Sequence, residues 1–263
     1  MISLFINNNP SSNKIISSLG NQVTINLNPG ITLDDNKKYQ LRLLNMNCVY
    51  STPNITTKNN TLKYTYGGNT HSIVFDTGLY SLNDINIQIS LYTAIGNNGG
   101  DATLTQFIPD EATSKIYSVF SQANVILDNT ITNSIMDILG FSKHLIGELI
   151  SPGYVKSQNQ AQLNSLQNIL VRCDITTGSY SNSQLSNIIC AVTPNVASYS
   201  TIIFTPVHPV RCPINVRRIE NITITLTDQN GNDIDIGSDN GSQSPELWSV
   251  YLTIEPIEMA GLL

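Results

Sequence analysis

The chain has 263 residues, 40% of them hydrophobic, which is enough to bury a core without disulfide or metal staples and excludes a disordered chain. Only 12% of residues are charged, 13 basic against 19 acidic with a net charge of −6, so the composition gives no basis for a general electrostatic grip on nucleic acid. Asn, Ser and Thr supply the polarity instead, a surface suited to packing against several protein neighbours.

Taken from the start, Met1 to Ile6 is apolar but lacks a basic n-region and breaks into Asn7-Asn8-Asn9-Pro10, which is not the pattern of a signal peptide. No apolar run reaches the roughly 18 to 20 residues of a membrane helix, and the chain reads as intracellular in origin. Val23, Ile25 and Leu27 alternate with Thr24 and Asn26 and predict a strand ending at Asn28-Pro29-Gly30; Tyr39, Leu41 and Leu43 predict the next. Leu62, Tyr64 and Tyr66 run into Gly67-Gly68-Asn69, and His71 to Phe75 returns as the second arm of a hairpin. Ser81 with Asp84 three residues later reads as a capping box, followed by Leu82, Ile85, Ile89 and Tyr92 at helical spacing. A second short helix is predicted from Thr132 or Asn133 through Ile135, Ile138 and Leu139 to Gly140, and Lys156 to Gln167 is a polar loop. Ile222, Ile224 and Leu226 alternate with Thr before Asp228-Gln229-Asn230-Gly231, where Asn-Gly favours a type I′ turn; Trp248, Val250, Leu252 and Ile254 form a last strand before Pro256. About ten strand candidates with few helices suit a sandwich or barrel. No repeat of fixed period and no linker divides the chain.

Chemistry-bearing patterns are scarce. His71, His144 and His208 stand in unrelated contexts, no G-x-S-x-G sets up a nucleophile, and neither a P-loop nor G-x-G-x-x-G occurs. Cys48, Cys173, Cys190 and Cys212 lack the close pairing of zinc ligands and read as buried free thiols. Asp228 to Asp235 gathers oxygen ligands but fails the EF-hand spacing; Asp233 and Asp235 alternating with Ile234 and Ile236 read as a strand's outward face. Arg211, Arg217 and Arg218 cluster beside Glu220 and fit salt bridges as well as phosphate. The sequons at Asn54, Asn59, Asn221 and Asn240 are expected by chance in so Asn- and Thr-rich a chain. Trp248 lies in an alternating strand, so core packing is expected rather than a sugar platform. No catalytic, cofactor-binding or metal-ligating residue is assigned, and no enzyme activity is expected.

Five segments together resemble the penton, or minor capsid, proteins of virophages and Polinton/Maverick-type elements. Gly78-Leu79-Tyr80-Ser81-Leu82-Asn83-Asp84-Ile85-Asn86 matches a G-x-Y-S-x-x-D-I-N helix start, and Ser134-Ile135 to Leu139-Gly140-Phe141 matches S-I-x-x-x-L-G-F. Ile169 to Ile175, containing Val171, Cys173 and Asp174, matches I-x-V-x-C-D-I and is followed by Gly178-Ser179-Tyr180. Ile222-Thr223-Ile224 through Asp228 and Gly231 matches a hairpin before a terminal strand, and Pro53-Asn54-Ile55 keeps the family order. The matches run from about residue 20 to 255, and the polar stretch before Leu166 and the Gly237 to Gln243 segment depart from the pattern.

The resemblance implies an all-β chain, a jelly-roll antiparallel β-sandwich with one or two short helices in its connecting loops. Residues 1–20, Asn-rich and ahead of the matched segments, are expected to form an N-terminal arm that reaches under neighbouring subunits. A jelly-roll capsid domain over 21–263 would follow, with a loop insertion between about 95 and 165. The implied role is a homo-pentamer at the vertex of an icosahedral virion, assembled in the infected host cell. Its partners would be trimers of a double-jelly-roll major capsid protein, with packaged genome or an internal cement protein as further candidates and no membrane span. A trimeric fibre or receptor-binding head and a carbohydrate-binding β-sandwich are the competing readings. The tail Met259 to Leu263 faintly matches a capsid-protease recognition sequence.

Overall fold

The computed structural model describes residues 1–9, 14–17, 20–95, 105–121, 124–146, 153–163, 166–177, 179–181, 184–236 and 248–257. In chain order the first strands are β1 (Ile2–Asn7), β2 (Lys14–Ile16), β3 (Gln22–Thr32), β4 (Tyr39–Val49), β5 (Thr61–Tyr66) and β6 (Asn69–Val74), followed by helix α1 (Leu82–Ile95). Next come β7 (Thr105–Asp110), β8 (Lys115–Phe120), β9 (Ile126–Asp128), a 3₁₀ turn at Ile135–Asp137, β10 (Leu145–Ile146) and β11 (Gly153–Lys156). The chain continues through β12 (Ile169–Cys173), β13 (Ser179–Ser181), β14 (Gln184–Ser186), β15 (Ile188–Val192) and β16 (Thr201–Phe204). It ends with β17 (Cys212–Ile214), β18 (Arg218–Thr227) and β19 (Ser249–Pro256). These elements divide into two compact units, residues 1–52 with 166–263 and residues 53–165.

The first unit is built from two antiparallel sheets. One has the order β1-β19-β4-β16, with β17 also paired to β4; the other runs β15-β12-β18-β3-β2. Lettering β1, β3, β4, β12, β15, β16, β18 and β19 from B to I turns these orders into B-I-D-G and C-H-E-F, which is the jelly roll. The alternation that predicted the strands also selects the core: Leu41, Leu43, Val250, Leu252 and Ile254 from one sheet and Val23, Ile222, Ile224, Leu226 and Val171 from the other are all buried. Trp248 is 1% exposed and welds the chain ends together. Its indole N–H donates to Gly20 O at 2.7 Å, and its backbone N–H donates to Asn8 Oδ1 at 2.7 Å.

Three sequence expectations change here. The segment expected as a free arm supplies a sheet strand at Ile2–Asn7, because Leu4 and Ile6 fill the core while β1 pairs with β19 from Ile2 opposite Ile254 to Asn7 opposite Ser249. Asn28-Pro29-Gly30 does not end β3: the ladder shifts register between Ile219 and Asn221, and that irregularity accommodates a proline inside the strand. The Asp228 turn is not type I′, since Gly231 has φ +87° but Asn230 is not left-handed. A Gly231 N–H bond to Asp228 O closes it as a type I turn, with Gly231 in the left-handed position after it.

The second unit, residues 53–165, is contiguous in sequence and enters the chain between β4 and β12; the insertion had been expected between about 95 and 165. Its sheets run β10-β9-β5-β6 and β11-β8-β7. Ile55, Leu62, Phe107, Leu127, Met136, Leu139 and Phe141 pack with Ile85 and Ile89 of α1 into one core cluster. The β5–β6 hairpin turns on Gly67 and Gly68, both at positive φ, as the sequence predicted. The capping box also forms: Asp84 N–H donates to Ser81 Oγ at 3.2 Å and Ser81 N–H to Asp84 Oδ2 at 2.9 Å. Tyr92, placed by its spacing on the buried stripe, is exposed, and Thr93 takes the inward position.

The predicted second helix shortens to the 3₁₀ turn at Ile135–Asp137, capped by Ser134 Oγ. Gly140 stops it in the left-handed conformation, with Phe141 N–H donating to Met136 O and Gly140 N–H to Asp137 O. The loop after Lys156 then closes on this stop so tightly that a Cβ at Gly140 would lie 2.3 Å from Asn159 O.

Candidate assembly surface

The residues that the sequence singled out for chemistry lie apart from one another. His71 stacks on Tyr64 across the β5–β6 hairpin at 5.1 Å, His144 lies exposed before β10, and His208 lies exposed between β16 and β17. Cys48, Cys173 and Cys212 are buried and Cys190 half-buried, none in a disulfide; burial pushes the Cys173 thiol up to about 12. Among the described residues no group of three His, Cys, Asp or Glu side chains could hold a metal ion. No helix among them is long and apolar enough to cross a membrane.

The acidic hairpin is internally saturated. Asp228 Oδ1 accepts from the Asn230 and Asn232 N–H groups at 2.8 Å, and its Oδ2 accepts from Asn232 Nδ2 at 2.9 Å. Burial raises the Asp228 carboxyl, but these bonds outweigh it and leave the group below its ordinary value. Ile234 and Ile236 are buried, so the alternation read from the sequence is real. Two of the three clustered arginines are bonded, Arg217 donating to Lys37 O at 2.8 Å and Arg218 pairing with Glu220 at 2.9 Å, while Arg211 lies exposed before β17.

The resemblance motifs prove to be fastening points. Asn86 of the D-I-N triplet clamps β7, its Nδ2 donating to Phe107 O at 2.8 Å and its Oδ1 accepting from Phe107 N–H at 2.9 Å. Asn54 holds Tyr80 the same way and also donates to Leu163 O; it is buried, so this sequon serves the second unit's interior. Asp174 ties the end of β12 to β18 through Thr223 N–H at 2.9 Å. Gly178, Gly237 to Gln243, Asn240 and the tail from Met259 lie outside the described residues.

What remains for function is surface. On the outer face of the β1-β19-β4-β16 sheet, register places Phe5 beside Tyr251 and Asn45, and Asn7 beside Ser249, Asn47 and Ile203. That half of the face carries no charge; its far end holds Arg42, bonded to Glu255 at 3.0 Å and thereby lowering the Glu255 carboxyl below its ordinary value. The outer face of the other sheet is hydroxyl-lined, with Thr24 and Thr223 bonded at 3.0 Å and Arg172 donating to Thr227 Oγ1 at 3.0 Å. Sequence reasoning missed Phe5, Ile203 and Val207, which are apolar and outward-facing. The available signal was negative: no Asp, Glu, Lys or Arg occurs between Asp174 and Arg211.

Fold and surface together define a single jelly-roll sandwich with a compact unit inserted between its third and fourth main strands, β4 and β12. Among solved structures, the chain is similar to the mavirus penton protein, with 12% sequence identity, 97% of this chain and 100% of that chain covered, and a TM-score of 0.47. No family model matches the chain, and no curated protein matches it.

Proposed function

We propose that the chain is a structural capsid subunit, five copies of which close into the vertex of an icosahedral shell and meet the double-jelly-roll major capsid protein around them. The observation that carries this reading is the B-I-D-G and C-H-E-F strand order. Five-fold closure uses heterologous contacts, so the two flanks of the subunit must complement each other. The role needs burial and geometry and no bond-making step, and its setting is the virion, after assembly in the infected cell. Trp248 is buried, as its place in an alternating strand predicts, and offers no exposed platform for a sugar.

Light scattering on a sizing column tests the proposal. The expected mass is five times the 28.8 kDa of one chain. A mass of three chains would replace the vertex reading with a fibre head or trimeric capsomer.

A further inference from the structure

The sandwich ends on two lateral walls. On one side lie the sheet edges β1 and β2; on the other lie β15 and β16, the opposite edges of the same sheets. None of these four strands has a second ladder neighbour among the described residues. Such edges offer unpaired N–H and C=O groups, and monomeric proteins commonly blunt them with Lys, other charges or bulges.

Here charge is sparse on both walls: the second has none in its sequence, and the first has Lys14 of β2, which donates to Asn7 Oδ1 at 2.7 Å. Residues 175–210, which carry β15 and β16, contain no Asp, Glu, Lys or Arg, where the chain average of 12% would supply about four. Residues 1–33, which carry β1 and β2, contain only Lys14. Both walls also present large apolar side chains to solvent: Phe5 is 65% and Ile15 66% exposed on the first, and Ile203 is 74% exposed on the second. Tyr199 just before β16 and Val207 just after it are exposed as well.

We propose that the β15/β16 wall of one copy binds the β1/β2 wall of the next; this locates the interface of the vertex role argued above and rests on that reading. A charged partner would have to strip water from its charges against a surface that returns no counter-charge, which is costly. A charge-poor wall with apolar anchors and open strand edges avoids that cost, and each copy carries one on its other flank. Pairing the β15/β16 wall with itself would leave the β1/β2 wall uncovered, whereas head-to-tail pairing covers both and propagates around a ring.

The test uses full-length Phe5→Glu, Ile203→Glu and Val207→Glu, all at exposed positions, with thermal unfolding to show that the fold is retained. Each variant alone is expected by light scattering at the 28.8 kDa of a single chain, against five times that mass for the unaltered protein. An equimolar mixture of Phe5→Glu with Ile203→Glu retains one intact pair of walls and is expected at the mass of a dimer. Folded variants that keep the full ring mass overturn the wall assignment and leave the vertex reading standing. A dimer of Phe5→Glu alone overturns head-to-tail pairing in favour of self-pairing. An unaltered chain at the mass of a trimer, reduced to a monomer by the same variants, upholds the walls and removes the five-fold reading. An unaltered chain that stays at 28.8 kDa overturns both.

Discussion

The two units solve the same problem in opposite ways. The first is closed by residues from the two ends of the chain: β19 lies between β1 and β4, and Trp248 is held by Asn8 and Gly20. The second closes within one continuous stretch, 53–165, around one helix and two small sheets, with side-chain clamps doing what long strands do in the first. Long-range pairing gives the sandwich two continuous faces and two flanks, which is what an assembly subunit needs. It also makes the sandwich depend on its last strand, whereas the insert's core is drawn from its own continuous stretch.

The largest effect should come from ending the chain at residue 247, which deletes Trp248 and the central strand β19. The sandwich should then fail to fold, while an excised 53–165 fragment keeps cooperative thermal unfolding. A fragment without a transition would show that the insert depends on the sandwich. Next in size, Trp248→Ala should cost the first unit about 3–5 kcal/mol in denaturant unfolding followed by circular dichroism, because it empties a buried indole site. Gly140→Ala should cost the second unit about 3 kcal/mol or more, through the left-handed backbone and the overlap with Asn159 O. Trp248 is the only tryptophan, so its emission reports the sandwich and should keep its midpoint in that variant. A matched shift in Trp248 emission would mean that the two units unfold as one.

Smaller still, Asn86→Ala should cost the second unit about 1–3 kcal/mol, by leaving the Phe107 N–H and C=O without their partners. The least change should come from acid. Asp110 is held at about 2 by its bonds from Lys156 and then Thr113, and Asp128 at about 2 by Lys63 and then Thr130. Both carboxyls sit below the ordinary value near 3.9, so their contribution is complete above about pH 4 and disappears as the pH falls towards 2. The second unit's melting temperature should fall over that window, and Asp110→Asn with Asp128→Asn should flatten the fall. An unchanged slope would remove these two pairs as its cause.

Much of this was legible where the signal is local. The Ser81–Asp84 box, the Gly67-Gly68 hairpin and the alternation through Trp248 to Ile254 each state their structure within a short window of sequence. The readings that failed were those that depend on a distant partner. The alternation of Leu4 and Ile6 looked like part of an arm because β19, which covers them, lies at the other end of the chain. Pro29 looked like a strand end because β3 bulges there, Leu27 to Gly30 standing opposite Glu220 alone, and only the pairing with β18 on either side keeps the strand continuous. The helix predicted to run up to Gly140 shrank to a single turn with a left-handed stop, and the backbone that packs on that stop comes from Asn159.

By itself the sequence determined the all-β class, the placement of the one long helix and the poverty of reactive chemistry, since each follows from periodicity, capping and composition. It also carried the missing charge of residues 1–33 and 175–210. Only the tertiary structure decided what that absence means. Strand order is set by pairings between residues as far apart as Ile2 and Ile254, and it is this order that places the two charge-poor segments on opposite edges of one sandwich. Composition has no direction; a sheet has two edges, and burial assigns each residue to one of them.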